Sequence, residues 1–178
     1  MKKLSMEELN RLTPEQFKSK KKNPIVVVLD NIRSMNNVGS IFRTCDAFNV
    51  EKLHLCGITA CPPHKEITKT ALGATESVDW EYSEDVEQLV RRLKEEGYTI
   101  LIVEQVDQSQ MLDQFSFKQY GKVALIVGKE VFGVDDRLLP LCDAAIEIPQ
   151  FGTKHSLNVT IAAGVVIWEA AKQLRVES

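Results

Sequence analysis

The chain has 178 residues, 44% of them apolar, and a net charge of −3. That length makes one globular domain with room for a small extension and a substantial core. The acidic balance weighs against a strong general nucleic-acid binder. The longest C-terminal apolar run, Ile161–Trp168, is too short to span a bilayer, and the polar start Met1-Lys2-Lys3-Leu4-Ser5 is no signal peptide, so a cytoplasmic protein is expected.

The first 22 residues read as a basic helical extension, and residues 23–178 as the body. Residues 1–24 carry seven basic and three acidic side chains, a net of +4 on a body of −7. Lys18, Lys20, Lys21 and Lys22 are therefore candidates for local phosphate contact, although a solvated helix end reads equally well. Ser5-Met6-Glu7-Glu8 and Thr13-Pro14-Glu15-Gln16 carry capping patterns, which predict two short helices within residues 6–21. The β-branched run Ile25–Leu29 predicts a strand buried on both faces, and residues 37–48 have helical spacing. Asn37 is a candidate N-cap of that helix.

A second strand is expected at Lys52–Cys56 and a short helix at about 64–71, after the break at Pro62-Pro63. Val78–Tyr82 reads as a strand. A helix opened by Ser83 or Glu84 follows, with Val86, Leu89, Val90 and Leu93 on one face and Gly97 at its end. Tyr98–Val103 and Lys122–Val127 are buried strands, joined by a polar connection with a short element near Met111. Val134–Leu141 reads as a short helix, Ala144–Ile148 as the last strand and Leu157–Leu174 as the last helix, with Ser156 as its cap. Strands alternating with helices predict an α/β fold, a mostly parallel sheet covered by helices on both faces. The last helix is apolar almost all round. One face suits the sheet; the other needs either a second subunit or the N-terminal helices.

The cysteines, Cys45, Cys56, Cys61 and Cys142, form no C-x-x-C. His54, Cys56, Cys61 and His64 raise the question of zinc, but their spacing fits poorly, and reduced structural thiols are preferred, with no metal assigned. Dinucleotide, P-loop, nucleophile-elbow and zincin motifs are all absent. Ligands of such sheets sit beyond the carboxyl ends of strands, and three polar, glycine-bearing loops fall there. The first holds Asn37, Gly39 and Arg43 as N-x-G-x-x-x-R. The second holds Gly128, Glu130 and Gly133 as G-x-E-x-x-G. The third runs from Ile148 and Pro149 through Gly152 to Ser156-Leu157-Asn158-Val159.

In this order and at these intervals the three loops resemble the SpoU/TrmH branch of the SPOUT RNA methyltransferases, over roughly residues 23–175. Departures are small: Gln150-Phe151 where methionine is common after the proline, and Thr160 where serine is common. The resemblance implies a C-terminal trefoil knot, S-adenosylmethionine bound bent in it, and a homodimer packed through the last helix. It implies a ribose 2′-O-methyltransferase, for which the weakly nucleophilic hydroxyl must be positioned and deprotonated.

Arg43 is the residue the resemblance places at the reaction. Phosphate anchoring is preferred for it over a role as base, since a guanidinium stays protonated, and the base is left open. Asn37 would orient Arg43 or contact RNA, Glu130 would fix the cofactor loop or pair with a cationic group, Ser156 would cap or touch ligand, and Asn158 would bond substrate or Arg43. Cofactor contact falls to Gly128 through its backbone, to Ile148 and Leu157 as an apolar slot, and to Val103 and Glu104 as its closure. The substrate preferred on resemblance is tRNA, at a D-loop guanosine. Ribosomal RNA and a non-catalytic RNA-binding or assembly role are the alternatives.

Overall fold

The computed structural model describes residues 1–5, 8–9, 11–129 and 133–176. Among these residues seven strands form one sheet: β1 (Asn23–Asp30), β2 (Val50–Cys56), β3 (Trp80–Ser83), β4 (Thr99–Val103), β5 (Gln110–Met111), β6 (Val123–Val127) and β7 (Ala144–Glu147). Their order is β3-β2-β1-β6-β4-β7-β5, and every pairing is parallel. The apolar runs of β1 and β6 follow from this position, because strands with helices on both faces need apolar residues at every register.

Side chains alternate across the sheet. Ile25, Val27 and Leu29 enter a core with Phe42, Ile67, Phe117 and Val166. Val26 and Val28 enter a second core with Leu89, Val90, Leu93 and Leu138. The first face is covered by α2 (Met35–Ala47), α3 (Lys65–Ala71), α4 (Ala74–Ser77) and α6 (Val159–Leu174), and the second by α5 (Val86–Glu95) and the 3₁₀ turn Asp136–Leu141. Among the described residues no helix is long and apolar enough to cross a membrane.

Several helix starts differ from expectation. The cap of α2 is Ser34, whose Oγ accepts from the Asn37 backbone N–H at 3.2 Å. Asn37 thus lies inside the first turn. Asp85 caps α5, accepting from Glu87 N at 2.8 Å, because its carboxylate satisfies first-turn donors better than Ser83 or Glu84 can from further upstream. Asn158, not Ser156, caps α6, and its Oδ1 accepts from Thr160 N at 2.8 Å. Where a helix is expected over 134–141, a 3₁₀ turn forms at Asp136–Leu141 with Pro140 inside, and a proline N–H is not there to extend an α-helix.

One N-terminal helix, α1 (Pro14–Ser19), forms with the reciprocal Thr13–Gln16 cap. Ser5 and Glu8 also bond reciprocally, but the remainder of the first expected helix falls on Met6, Glu7 and Asn10, outside the described residues. Lys22 is committed to structure. Its Nζ donates to Phe17 O at 2.6 Å and lies 3.1 Å from the Phe17 ring centroid, and burial pushes its pKa down. Lys18 and Lys21 are exposed, and Lys20 is half-buried.

The last helix is less uniform than its sequence. Ala163, Val166, Ile167, Ala170 and Ala171 are buried, while Ile161, Val165 and Trp168 are 55%, 39% and 52% exposed. Ile167 therefore belongs to the chain's own core and not to a face for a partner. The N-terminal α1 packs against α4 and leaves the exposed stripe uncovered.

Candidate functional site

Strands β4, β6 and β7 are adjacent and parallel, so their carboxyl ends open together at one edge. The loops leaving them enclose a cleft of about 600 Å³. Val103, Glu104, Gly128, Ile148 and Leu157, expected to hold cofactor, all line it, as do Ser156 and Asn158. Valine, isoleucine and leucine walls beside main-chain polar groups suit a nucleoside-sized ligand with one flat apolar ring.

Carboxylates pin this cleft from below. Glu104 Oε2 accepts from Val134 N at 3.1 Å, and its Oε1 accepts from Gln105 N at 2.9 Å. Gly133, at φ +69°, leaves the space that Glu104 fills; a Cβ there would strike the carboxylate. Gly128 permits an equally close approach, since a Cβ on it would overlap the backbone of Gly133 and Val134. From the other neighbour of β6, Asp30 Oδ2 accepts from Asp135 N at 2.9 Å, and Oδ1 accepts from Asn31 Nδ2 at 2.7 Å. Asp30 is fully buried, and that burial raises its pKa. Glu104 thus both lines the cleft and braces the loop at Val134. Glu130 lies outside the described residues.

At the mouth, Asn158 Oδ1 is taken by Thr160 N and Thr160 Oγ1, at 2.8 and 2.6 Å, which leaves its amide N–H groups to face a ligand. Ser156 is exposed and makes no cap bond, so its hydroxyl is open to the cleft. Lys129 and His155 also line the cleft. Sequence reasoning passed over both, together with Asp30; His155, one residue before Ser156 in the third loop, was the most accessible signal.

Arg43 is elsewhere. It lies exposed on α2, in a shallow depression with Ser40, Thr44, Phe48, Lys69 and Thr70, and none of these residues lines the cleft. Asn37 sits half-buried at the start of the same helix. One chain therefore assembles the expected cofactor residues with Ser156 and Asn158, but does not bring Arg43 or Asn37 into the cleft lining.

Cys45 and Cys56 are buried free thiols. Burial pushes Cys56 up to about 12 and Cys45 higher still, as expected of structural, unreactive sulfurs. Among the described residues, no three His, Cys, Asp or Glu side chains converge as a metal site.

Comparison with known proteins agrees with this geometry. Residues 24–168 match the model of the SpoU rRNA Methylase family. A tRNA (guanosine(18)-2′-O)-methyltransferase of Thermus thermophilus is 30% identical over 166 residues, covering 93% of this chain and 84% of that protein. A 23S rRNA (guanosine-2′-O-)-methyltransferase of Vibrio vulnificus is 29% identical, and the chain spans 66% of its length. Among solved structures, an AdoMet-bound rRNA methyltransferase of Sinorhizobium meliloti superposes with a TM-score of 0.80 at 27% identity, over 88% of this chain and 59% of that one. The A. aeolicus TrmH/SpoU tRNA-modifying enzyme gives 0.79 at 26% identity, over 90% and 80%. The chain belongs to the SpoU rRNA Methylase family and is an RNA methyltransferase.

Proposed function

We propose that the chain methylates the ribose 2′-hydroxyl of a guanosine in the D-loop of tRNA. The observation that carries this is the convergence of Val103, Gly128, Ile148, Ser156, Leu157 and Asn158, from three separate loops, on one cleft. S-Adenosylmethionine supplies the electrophilic methyl group when bound. The apolar slot of Ile148 and Leu157 takes its adenine, Gly128 offers main chain, and Glu104 holds the slot's shape. A tRNA substrate is supported by likeness to the Thermus tRNA enzyme, 30% identical over 166 residues. Loops also present unstacked nucleotides at lower cost than helices do. Free thiols and an RNA substrate support a cytoplasmic setting.

Ser156 and the Asn158 amide orient the ribose, Asn37 and Glu130 support the first and second loops, and Arg43 anchors a substrate phosphate. The last role needs a second copy. The stripe Ile161, Val165 and Trp168 is apolar and exposed, and Trp168 meets Phe48, just past α2, at 5.4 Å between ring centroids. In a twofold pairing each patch meets itself. An antiparallel crossing centred on Val165 sets the Trp168 end of one copy beside the Ile161 end of the other. Arg43 shares the Phe48 depression, so it then approaches the partner's cleft. Lys18, Lys20 and Lys21 extend phosphate contact along the basic N-terminal extension.

The knot is supported by the path of the chain. Both β4 and β5 pair with β7, so residues 104–109 cross from one flank of β7 to the other before β7 continues into the cleft.

The test incubates purified protein and labelled cofactor with unmodified tRNA and with ribosomal RNA. Label in the tRNA D-loop is expected. Label in ribosomal RNA alone overturns the substrate, and label in neither returns the chain to a non-catalytic RNA-binding role.

A further inference from the structure

The cofactor cleft adjoins a second, open chamber of about 480 Å³, and the two share Gln105, Glu147, Gln150 and His155 as walls. Its remaining lining combines Met111, Asp113 and Gln114 from one side with Pro149, Phe151 and Lys154 from the other. Phe151 is 98% exposed, an extreme value for a phenyl ring. Water gains nothing from that ring, whereas the flat face of a base would stack on it.

Opposite the third loop stands a carboxylate with no internal partner. Among the described residues Asp113 makes no hydrogen bond or ion pair, while the neighbouring Glu147 is occupied by Gln105 Nε2 at 3.1 Å and Ser109 Oγ at 2.7 Å. The support under Asp113 is rigid. The 3₁₀ turn Leu112–Gln114 is anchored by Leu112, Phe115 and Phe117, which are 6%, 4% and 0% exposed. A carboxylate on an anchored turn, lining the same chamber as an aromatic ring, matches the Watson–Crick edge of guanine, whose N1–H and N2–H₂ donate side by side. Adenine presents an acceptor at N1 and meets the carboxylate with repulsion.

We infer that this second chamber is the binding site for the target guanine base, with Asp113 reading its Watson–Crick edge and Phe151 stacking on its face. The inference rests on the methyltransferase reading for its substrate but is tested without methyl transfer. It makes Asp113 and Phe151 specificity and positioning residues, and ties the residue after Gln150 in the third loop to base choice.

The full chain, loaded with S-adenosylhomocysteine, is dialysed to equilibrium against labelled guanosine, inosine or adenosine 5′-monophosphate up to millimolar concentration. Guanosine monophosphate should bind about 10-fold or more tightly than adenosine monophosphate, with inosine, which lacks the 2-amino group, in between. Asp113→Asn should remove the preference for guanine, because it replaces one acceptor with a donor. Phe151→Ala should weaken all three on the order of 10-fold and keep their ranking. Both variants should retain cofactor affinity, which shows that they fold. Undetectable guanosine monophosphate binding, equal affinity for guanine and adenine, or wild-type ranking in Asp113→Asn each overturns the site. If discrimination is present but no RNA accepts methyl groups, the chamber stands and the enzymatic reading falls; methylation without discrimination does the reverse.

Discussion

The cofactor cleft and the Arg43 depression are built in opposite ways. The cleft is closed by contacts within the chain: Glu104, just past β4, and Asp30, at the end of β1, accept from the backbone N–H groups of Val134 and Asp135 respectively. Arg43 stands on an exposed helix beside an uncovered apolar stripe. A ligand that must be held in one shape is given walls by one polypeptide. On the proposed reading, Arg43 meets a large RNA and is left on a surface, where a second copy would bring it to the reaction.

The strongest way to break this contrast is Arg43→Ala. Losing one positioned cation should cut methyl transfer by about 10²- to 10³-fold, with cofactor affinity by calorimetry unchanged. Mixing it with Asn158→Ala should restore part of the lost activity, since mixed dimers keep one site with both groups. Without any recovery, the two groups act within one chain. Val165→Asp places an unpaired charge in the proposed interface. Sedimentation should show monomers and activity should fall with dimer content, while the cleft still binds cofactor; a wild-type monomer at assay concentration removes the shared site.

Gly128→Ala acts on the other half of the comparison. Its methyl group overlaps the backbone of Gly133 and Val134, so cofactor affinity should drop roughly 10- to 100-fold, with sedimentation unaltered. An unchanged affinity would show that the second loop relaxes freely.

How much of this was legible in the sequence differs between the two regions. The strands under the cleft announce themselves, because a run such as Val123–Val127 has no polar face to solvate. The third loop was readable by its glycine, proline and small polar residues. Its cap was not: Ser156 and Asn158 are both competent, and only the path of the backbone puts Asn158 within reach of Thr160 N. Asp30 reads as an ordinary loop residue, because its partner, Asp135, is 105 positions away. Nor does spacing reveal that Arg43 and the cleft lie apart, since loop order along a chain does not say which surface each one faces.

Away from both regions, His54 serves as a control. It is 2% exposed, its Nδ1 has no partner, and burial, helped by the charges of Lys52 and Arg92 and opposed by that of Glu81, lowers its pKa to about 4. The folded chain thus resists protonating a group that the unfolded chain protonates near 6.5. The stability this confers is present above that value and is lost as pH falls toward 4. Between pH 6.5 and 5 the loss should be about 1.5 kcal/mol. Denaturant titrations of His54→Asn should show that part of the slope flattened, whatever its absolute stability; an unaltered slope assigns acid sensitivity elsewhere.

The smallest effect is expected at the N-terminal extension. Lys18→Ala with Lys21→Ala should lower the salt slope of RNA binding by about two units, while Lys22→Ala should show mainly as lost stability. Equal slopes in filter-binding titrations would make the extension structural throughout.

The strand order has a consequence for the timing of synthesis. β6 lies between β1 and β4, and β7 between β4 and β5, yet each is translated after both of its neighbours. A nascent chain that ends before Val123 carries β1 and β4 with the strand that joins them still missing. Its backbone edges are open to pairing with other chains until the ribosome supplies the centre of the sheet. The centre of this sheet arrives after the strands it joins, so a product truncated before Val123 is an aggregation hazard, not a smaller version of the enzyme.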